Sequence, residues 1–264
     1  MNEREHVGLI GVGLLGSALA ERLLKAGFDV HGFDTDNKRR DDLTAAGGSV
    51  ADEAAIVART CRRIMLSLPN SGVVSAVVDE ISGDLKPGAL LIDTTTGDPE
   101  ETAELGARLA ERNIGYVDAT VGGSSAQARA GHALLMVGGA PEHLPDARDI
   151  LDAVSTNVVH VGPCGSGARM KLVFNLVLGL NRAVLAEGLA FAKASGLDPR
   201  AALKVLRSGA AASAVMETKG EKMLNREFTP QARLAQHLKD VHLILQTAES
   251  HGTSLPFSTL HRSL

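Results

Sequence analysis

The chain has no tryptophan and one tyrosine, Tyr116, and aromatics make up only 3% of its 264 residues. A packed interior must therefore be built from Leu, Val, Ile and Ala. Cysteine is nearly as scarce: Cys61 and Cys164 are far apart, and neither has a histidine at metal-ligand spacing. That excludes a disulfide framework, gives no metal site, and reads as two free thiols in a reducing cytoplasm. No sign of charge dominates, with 27 Lys and Arg against 31 Asp and Glu. No basic stripe is interleaved with aromatics, so nucleic acid is not an expected partner. The polar stretch from Asn2 to His6 runs directly into an apolar segment, so no signal peptide is expected. The most apolar helical stretch, about Gly167 to Ser195, carries Arg169, Lys171, Asn175, Asn181, Arg182, Glu187 and Lys193, too many polar groups for a membrane span.

What the chain does have is a glycine fingerprint near its start. An apolar run from Val7 to Ile10 reads as a buried strand, and Gly11, Gly13 and Gly16 then spell G-x-G-x-x-G. Apolar residues recur with helical spacing from Leu14 to Ala26, and a second apolar run ends in Asp34. Gly11 allows the tight turn, Gly13 lets a pyrophosphate approach the backbone, and Gly16 lets the helix lie close to the strand. The loop Gly11, Val12, Gly13, Leu14, Leu15 and Gly16 would hold the phosphates on free N–H groups at a helix N-terminus. Asp34 would accept the adenosine ribose hydroxyls and repel a 2′-phosphate, which predicts NAD in preference to NADP. Arg39 and Arg40 follow as solvated helix-face residues.

Strand-like and helix-like runs alternate up to about residue 162. The strands are expected at Val7–Ile10, Asp29–Phe33, Arg63–Leu68, Ala89–Asp93, Tyr116–Ala119, Leu134–Val137 and Val158–Val161. The helices between them are expected at Leu14–Ala26, Lys38–Ala46, Ser71–Ile81, Pro99–Arg112 and Pro141–Ala153. This alternation predicts an α/β fold, a Rossmann-type, mostly parallel, doubly wound sheet over residues 1–162. After the glycine-rich Gly162 to Gly167 no strand is expected. Residues 163–264 read as an all-α C-terminal domain: one very long helix, then three or four shorter ones punctuated by Gly196, Gly209, Gly220, Pro230 and Gly252.

Four constellations carry chemistry. Leu68, Pro69 and Asn70 follow a strand and belong to the cofactor crevice. Asp93-Thr-Thr-Thr96 follows another: Thr94 reads as structural, Thr96 as a hydroxyl for the nicotinamide ribose or the substrate, and Asp98 before Pro99 as a helix cap. In Asp118-Ala-Thr-Val-Gly-Gly-Ser-Ser125, a strand leads into a turn at Gly122, Gly123, Ser124 and Ser125, whose N–H and hydroxyl groups suit a small carboxylate. Read alone, the same residues also fit an ordinary loop with serine as N-cap. His132 reads as a surface residue. Finally, Gly165-x-Gly-x-x-x-Lys171-x-x-x-Asn175 places a lysine and an asparagine one turn apart on an apolar helix, where a lysine is out of place as packing.

Five motifs in order, the glycine fingerprint, Asp93–Thr96, Asp118–Ser124, Gly165–Asn175 and Lys239-Asp-Val near the end, resemble the β-hydroxyacid dehydrogenase family, which includes 3-hydroxyisobutyrate dehydrogenases and tartronate semialdehyde reductases. The resemblance implies an NAD(P)-dependent 3-hydroxyacid dehydrogenase. In it Lys171 is the acid/base, Asn175 orients the substrate, Thr96 lies at substrate and nicotinamide, and Lys239 contacts the cofactor. Lys171 would take the hydroxyl proton as hydride leaves, and burial would lower its pKa toward the working range. It further implies a small carboxylate substrate and a homodimer or homotetramer, which the apolar surface of the long helix also predicts. The sequence departs from the family motif in having Thr120 for proline, Gly122 for serine and Ser124 at the motif's last position. It also ends at Leu264, shortly after Pro256, where relatives continue through another helix. An NADP-dependent relative, an imine-reductase-like enzyme and a non-catalytic cofactor-binding module are the alternatives. A short-chain dehydrogenase is excluded, because Tyr116 is followed four residues later by Thr120 rather than lysine.

Overall fold

The computed structural model describes residues 6–229 and 234–264. The polar stretch before His6 and the punctuating Pro230 lie outside the described residues. The chain divides into two compact units, residues 1–171 and 172–264.

In the first unit strands and helices alternate in the order β1 (His6–Ile10), α1 (Leu14–Ala26), β2 (Asp29–Phe33), α2 (Asn37–Ala45), β3 (Ser49–Val50), α3 (Ala54–Thr60), β4 (Arg63–Leu66), α4 (Ser71–Ile81), β5 (Leu90–Asp93), α5 (Pro99–Ala110), β6 (Gly115–Gly122), α6 (Ser125–Arg129), β7 (Leu134–Gly139), α7 (Leu144–Val154) and β8 (Asn157–Gly162). The eight strands form one sheet in the order β3-β2-β1-β4-β5-β6-β7-β8. All neighbouring pairs are parallel except β6 with β7, so the last two strands run against the rest.

Two apolar layers cover the sheet, and the period of two along each strand decides which side chain joins which layer. Leu9, Met65, Ile92 and Val117 face one way, toward Leu19 and Leu23 of α1 and Ile150 and Leu151 of α7. Their neighbours Ile10, Ile64, Leu66, Leu91 and Tyr116 face the other, toward Val57, Val74, Ile81 and Leu105 of α3, α4 and α5. This is the doubly wound Rossmann-type sheet expected from the sequence. A buried arginine closes its far edge: Arg63, 3% exposed, donates to the carboxylate of Asp149 and the carbonyl of Asp146 on α7.

The helix α8 (Ser166–Ala194) runs through both units. The change from α/β to all-α falls after β8, while the compact first unit extends to Lys171, because the first turns of α8 are bonded to β6. In the second unit α8 is followed by α9 (Pro199–Ser208), α10 (Ala214–Leu224), α11 (Leu234–Ser250) and α12 (Pro256–Ser263). Its core is Leu185, Leu189, Leu203, Val215 and Met216. Gly220 lets α10 come so close to α9 that an added Cβ would lie 2.7 Å from Leu203. By length and composition alone α8 would also pass for a membrane span. Two of its polar side chains, Lys171 and Asn175, are buried and hydrogen-bonded to Val121 O and Asp240.

Candidate active site

The strand order reverses direction at β1 and β4, and the glycine fingerprint sits at that switch point, where open α/β sheets bind ligands. Gly11 has φ +93°, and a Cβ there would lie 2.3 Å from Ser67 O. At Gly16 a Cβ would lie 2.0 Å from Gly11 O, so helix and loop touch backbone to backbone. Gly13 has nothing within 4 Å of an added Cβ, which leaves the loop open on the side a pyrophosphate would approach. Val12 is buried, whereas Leu14 is 65% exposed and Leu15 half-buried. No side chain caps α1, so its first-turn N–H groups point to this opening. The cradle fits a dinucleotide phosphate.

Asp34 does more than wait for a ribose. One carboxylate oxygen accepts the Val12 N–H at 2.7 Å and the other accepts that of Asp36 at 2.9 Å, which ties the end of β2 to the glycine loop. Each oxygen keeps a second lone pair for a hydroxyl donor. Arg40 is not a solvated helix residue: its guanidinium lies 5.8 Å from the Phe33 ring centroid and donates to Asp34 O.

The ends of β4 and β5 lie on the same edge. The Leu68 N–H donates to Thr95 Oγ1, and Thr94, read as structural, is buried with its hydroxyl on Leu66 O. Pro69 and Asn70 are exposed, and the Asn70 side chain caps α4 through Val73 N–H. Thr96 is half-buried at the end of this turn. Asp98 caps α5 with Pro99 at its first position, as its sequence pattern predicts. The turn itself is held by Asp93, for which no role is expected from its place in the motif. Asp93 accepts the Thr95 N–H at 2.8 Å and the Tyr116 hydroxyl at 2.7 Å, and burial pushes its carboxyl up to about 6.

At the end of β6, Gly122 is buried and Gly123 turns the chain with φ +143°. The Ser124 hydroxyl was expected to help hold a carboxylate. In the structure it closes a capping box, accepting from Gln127 N–H and donating to Gln127 Oε1, while Ser124 N–H donates to the same side chain. Capping engages both its hydroxyl and its N–H. Ser125, half-buried, opens the helix α6. His132 is exposed, as its surface assignment anticipates.

Lys171 is 8% exposed, and its Nζ donates to Val121 O, one residue before Gly122, at 2.6 Å. It is therefore not a lysine reaching for solvent but one whose Nζ is held against the carbonyl beside the glycine turn. In the second unit Asn175 is likewise buried, and its Nδ2 donates to Asp240 Oδ2 at 2.9 Å. Lys239 Nζ lies 3.4 Å from the other oxygen of Asp240. Asn175 and Lys239 thus share the buried carboxylate of Asp240, for which the sequence pattern alone predicts no role. The only signal was its place inside the Lys-Asp-Val segment.

A phosphate cradle at a sheet's switch point, followed by a buried lysine on a helix after the last strand, defines an NAD(P)-binding oxidoreductase with a helical C-terminal part. Residues 6–162 match the NAD binding domain of 6-phosphogluconate dehydrogenase, and residues 165–264 match the NAD-binding domain of NADP-dependent 3-hydroxyisobutyrate dehydrogenase. Among curated relatives, 2-(hydroxymethyl)glutarate dehydrogenase of Eubacterium barkeri is 31% identical, covering 98% of this chain and 88% of its own length. The 2-hydroxy-3-oxopropionate reductase of Escherichia coli is 30% identical over 95% of this chain and 86% of its own. The fold matches that of the Mycobacterium tuberculosis 3-hydroxyisobutyrate dehydrogenase with L-serine, at a TM-score of 0.92 and 24% identity over 98% and 92% of the two chains. The chain belongs to the β-hydroxyacid dehydrogenase family and is an NAD(P)-dependent oxidoreductase acting on the CH–OH group of hydroxy acids.

Proposed function

We propose that the enzyme interconverts a small 3-hydroxy acid and its semialdehyde, prefers NAD, and uses Lys171 as the acid/base. The observation that carries this is the buried Nζ of Lys171 on Val121 O, beside the Gly122–Ser125 turn. The relatives' names support the substrate class: a (hydroxymethyl)glutarate and an oxopropionate each place the oxidisable or reducible carbon one position from a carboxylate-bearing carbon.

When bound, the nicotinamide supplies or accepts the hydride. The glycine loop Gly11–Gly16 holds the phosphates and Asp34 the ribose. Leu68, Pro69, Asn70 and Thr96 line the crevice along the ends of β4 and β5, and Lys239 is assigned to the cofactor on the family motif. Because Gln127 engages the hydroxyl and N–H of Ser124, the substrate carboxylate falls chiefly to the backbone of Gly122 and Gly123 and to Ser125. Asn175, like Lys239, is assigned on the family motif, as the residue that orients the substrate. Lys171 removes the hydroxyl proton on oxidation and returns it on reduction. Two free thiols support a reducing, cytoplasmic setting.

The test is Lys171→Ala, assayed against a panel of 3-hydroxy acids and semialdehydes by NADH absorbance. General acid–base groups contribute roughly 10²–10⁴-fold, so kcat should fall at least that far while NADH affinity stays near wild type. Lys171→Arg should not rescue, since a guanidinium cannot accept the proton. Wild-type kcat in Lys171→Ala would rule the assignment out.

A further inference from the structure

All eight residues of β6 are buried, and three of them reach into the start of α8. Asp118, 1% exposed, accepts the Gly165 N–H on Oδ1 at 2.9 Å and the Ala168 N–H on Oδ2 at 2.8 Å. The Thr120 hydroxyl donates to Gly167 O at 2.9 Å. Val121 O accepts Lys171 Nζ at 2.6 Å. Together these ties span Asp118 to Val121 on the strand and Gly165 to Lys171 on the helix side. From 118 to 121 a strand rises about 10 Å, and from 165 to 171 a helix rises about 9 Å. Strand and helix are therefore fastened in step, first at the helix entrance and last at the lysine.

The approach leaves no room to slip. A Cβ on Gly167 would lie 2.5 Å from Met136 O, and one on Gly138 would lie 2.4 Å from Asp118 Oδ1. A slip of one residue would move the helix by about 1.5 Å and turn it by about 100°, taking Lys171 off its carbonyl. An ordinary N-cap would satisfy the same N–H groups from the adjoining residue. A cap of that kind leaves the helix free to slide against the sheet. Asp118 performs the capping from another strand, 47 and 50 residues away in sequence, and so joins the entrance of α8 to the strand that ends at the substrate turn.

We propose that Asp118 is a positioning residue for Lys171, its buried carboxylate setting the register in which α8 presents the lysine Nζ at Val121 O; the catalytic part of this rests on the assignment of Lys171 as acid/base. Thr120, standing where the family motif has proline, adds a second tie in this chain. Burial raises the Asp118 carboxyl, and the N–H groups of Ala168, Gly165 and Gly167 hold it back.

The experiment uses the full-length chain carrying Asp118→Asn. An amide presents one acceptor where the carboxylate presents two, so one of the two N–H groups loses its partner and the register loosens. Misplacing a catalytic group by about 1 Å costs on the order of 10²-fold, so kcat should fall by about that factor while KM and NADH binding move little. The labelling rate of Lys171 by acetic anhydride, read by peptide mass spectrometry against Lys25, should rise severalfold. In a Lys171→Ala background, Asp118→Asn should cause no further loss of kcat. A folded Asp118→Asn protein with wild-type kcat and labelling would overturn the proposal, as would losses that simply multiply in the double variant. If Asp118→Asn fails to fold, Thr120→Val and Thr120→Ser take its place. The first should lower kcat and expose Lys171 and the second restore both, and no change in Thr120→Val would then count against the register. Wild-type turnover in Lys171→Ala would instead remove the catalytic role, while the labelling would still decide whether Asp118 holds the side chain.

Discussion

Asp93 lies buried at the end of β5, with Thr95 N–H on one oxygen and the Tyr116 hydroxyl on the other, and its carboxyl is raised from 3.8 to about 6 by burial. The sign of the consequence follows from which state holds the proton. Above pH 6 the carboxyl is ionised in both folded and unfolded chains, and the native state bears the full cost. As the pH falls from about 6 toward 4 the native state takes up the proton first, so stability is gained. A shift of two units corresponds to about 3 kcal/mol. Asp93→Asn cannot titrate, so urea unfolding of both proteins at pH 7 and pH 4.5 should show the wild type gaining on the variant at the lower pH. A constant difference would place the Asp93 pKa at its ordinary value. The reason this residue could not be read from the sequence is distance along the chain. Asp98 was legible because the N–H groups it accepts belong to Glu100 and Glu101. Asp93 has one such near partner in Thr95, but its other, Tyr116, is 23 residues away, and Asp118 and Asp240 find partners 47 and 65 residues away, in Gly165 and Asn175. No spacing rule reports such pairs. Lys171 and Asn175 were visible because a polar pair at helical spacing follows a glycine-rich approach and interrupts an apolar run, in a segment that resembles the family motif.

At the scale of elements the sequence pattern is informative wherever periodicity runs for four residues or more. The strands in the sheet's interior and α1, α4 and α5 lie where expected, with ends shifted by up to three residues, the most at β6, which runs on to Gly122. Two elements carried too little signal. The strand β3 is two exposed residues at the sheet edge, and α3 is seven residues in which only Ala54, Val57 and Ala58 are buried. The onset of α7 falls at Leu144 rather than at Pro141, since proline occupies the first turn without requiring helix before it. The β1–α1–β2 unit makes its own prediction. With Asp34 joined to the glycine loop, a 2′-phosphate would meet a carboxylate at the ribose. We therefore expect a higher kcat/KM with NAD than with NADP. Losing a hydrogen bond to a charged group costs about 1.5–3 kcal/mol, so Asp34→Ala should weaken NAD binding roughly ten- to hundredfold. A clear preference for NADP in the wild type would count against the role of Asp34.

On the whole-molecule scale the second unit leaves much apolar surface uncovered. Val177, Val184 and Phe191 recur every seven residues on α8 and are 51%, 66% and 72% exposed, and Phe257 and Leu260 on α12 are exposed as well. A stripe of this kind is a seam for another helix. We expect the enzyme to be a homodimer or larger, since a stable interface needs about 1,200–2,000 Å² of buried surface and a long helix can supply much of it. Light scattering at micromolar concentration should give at least twice the mass of one chain, and Val184→Glu should lower it. A monomeric wild type would contradict this. The strand order has a consequence of a different kind, in the timing of synthesis. Of the eight strands of the sheet β1 is the first to be synthesised, yet one of its two neighbours is β4, with Ile10 beside Leu66. For on the order of seconds of translation, β1 has only β2 to pair with and one hydrogen-bonding edge open. The first strand of the sheet to be made is thus also its longest-waiting one, and the nascent protein is most exposed to misassembly before its fourth strand has been made.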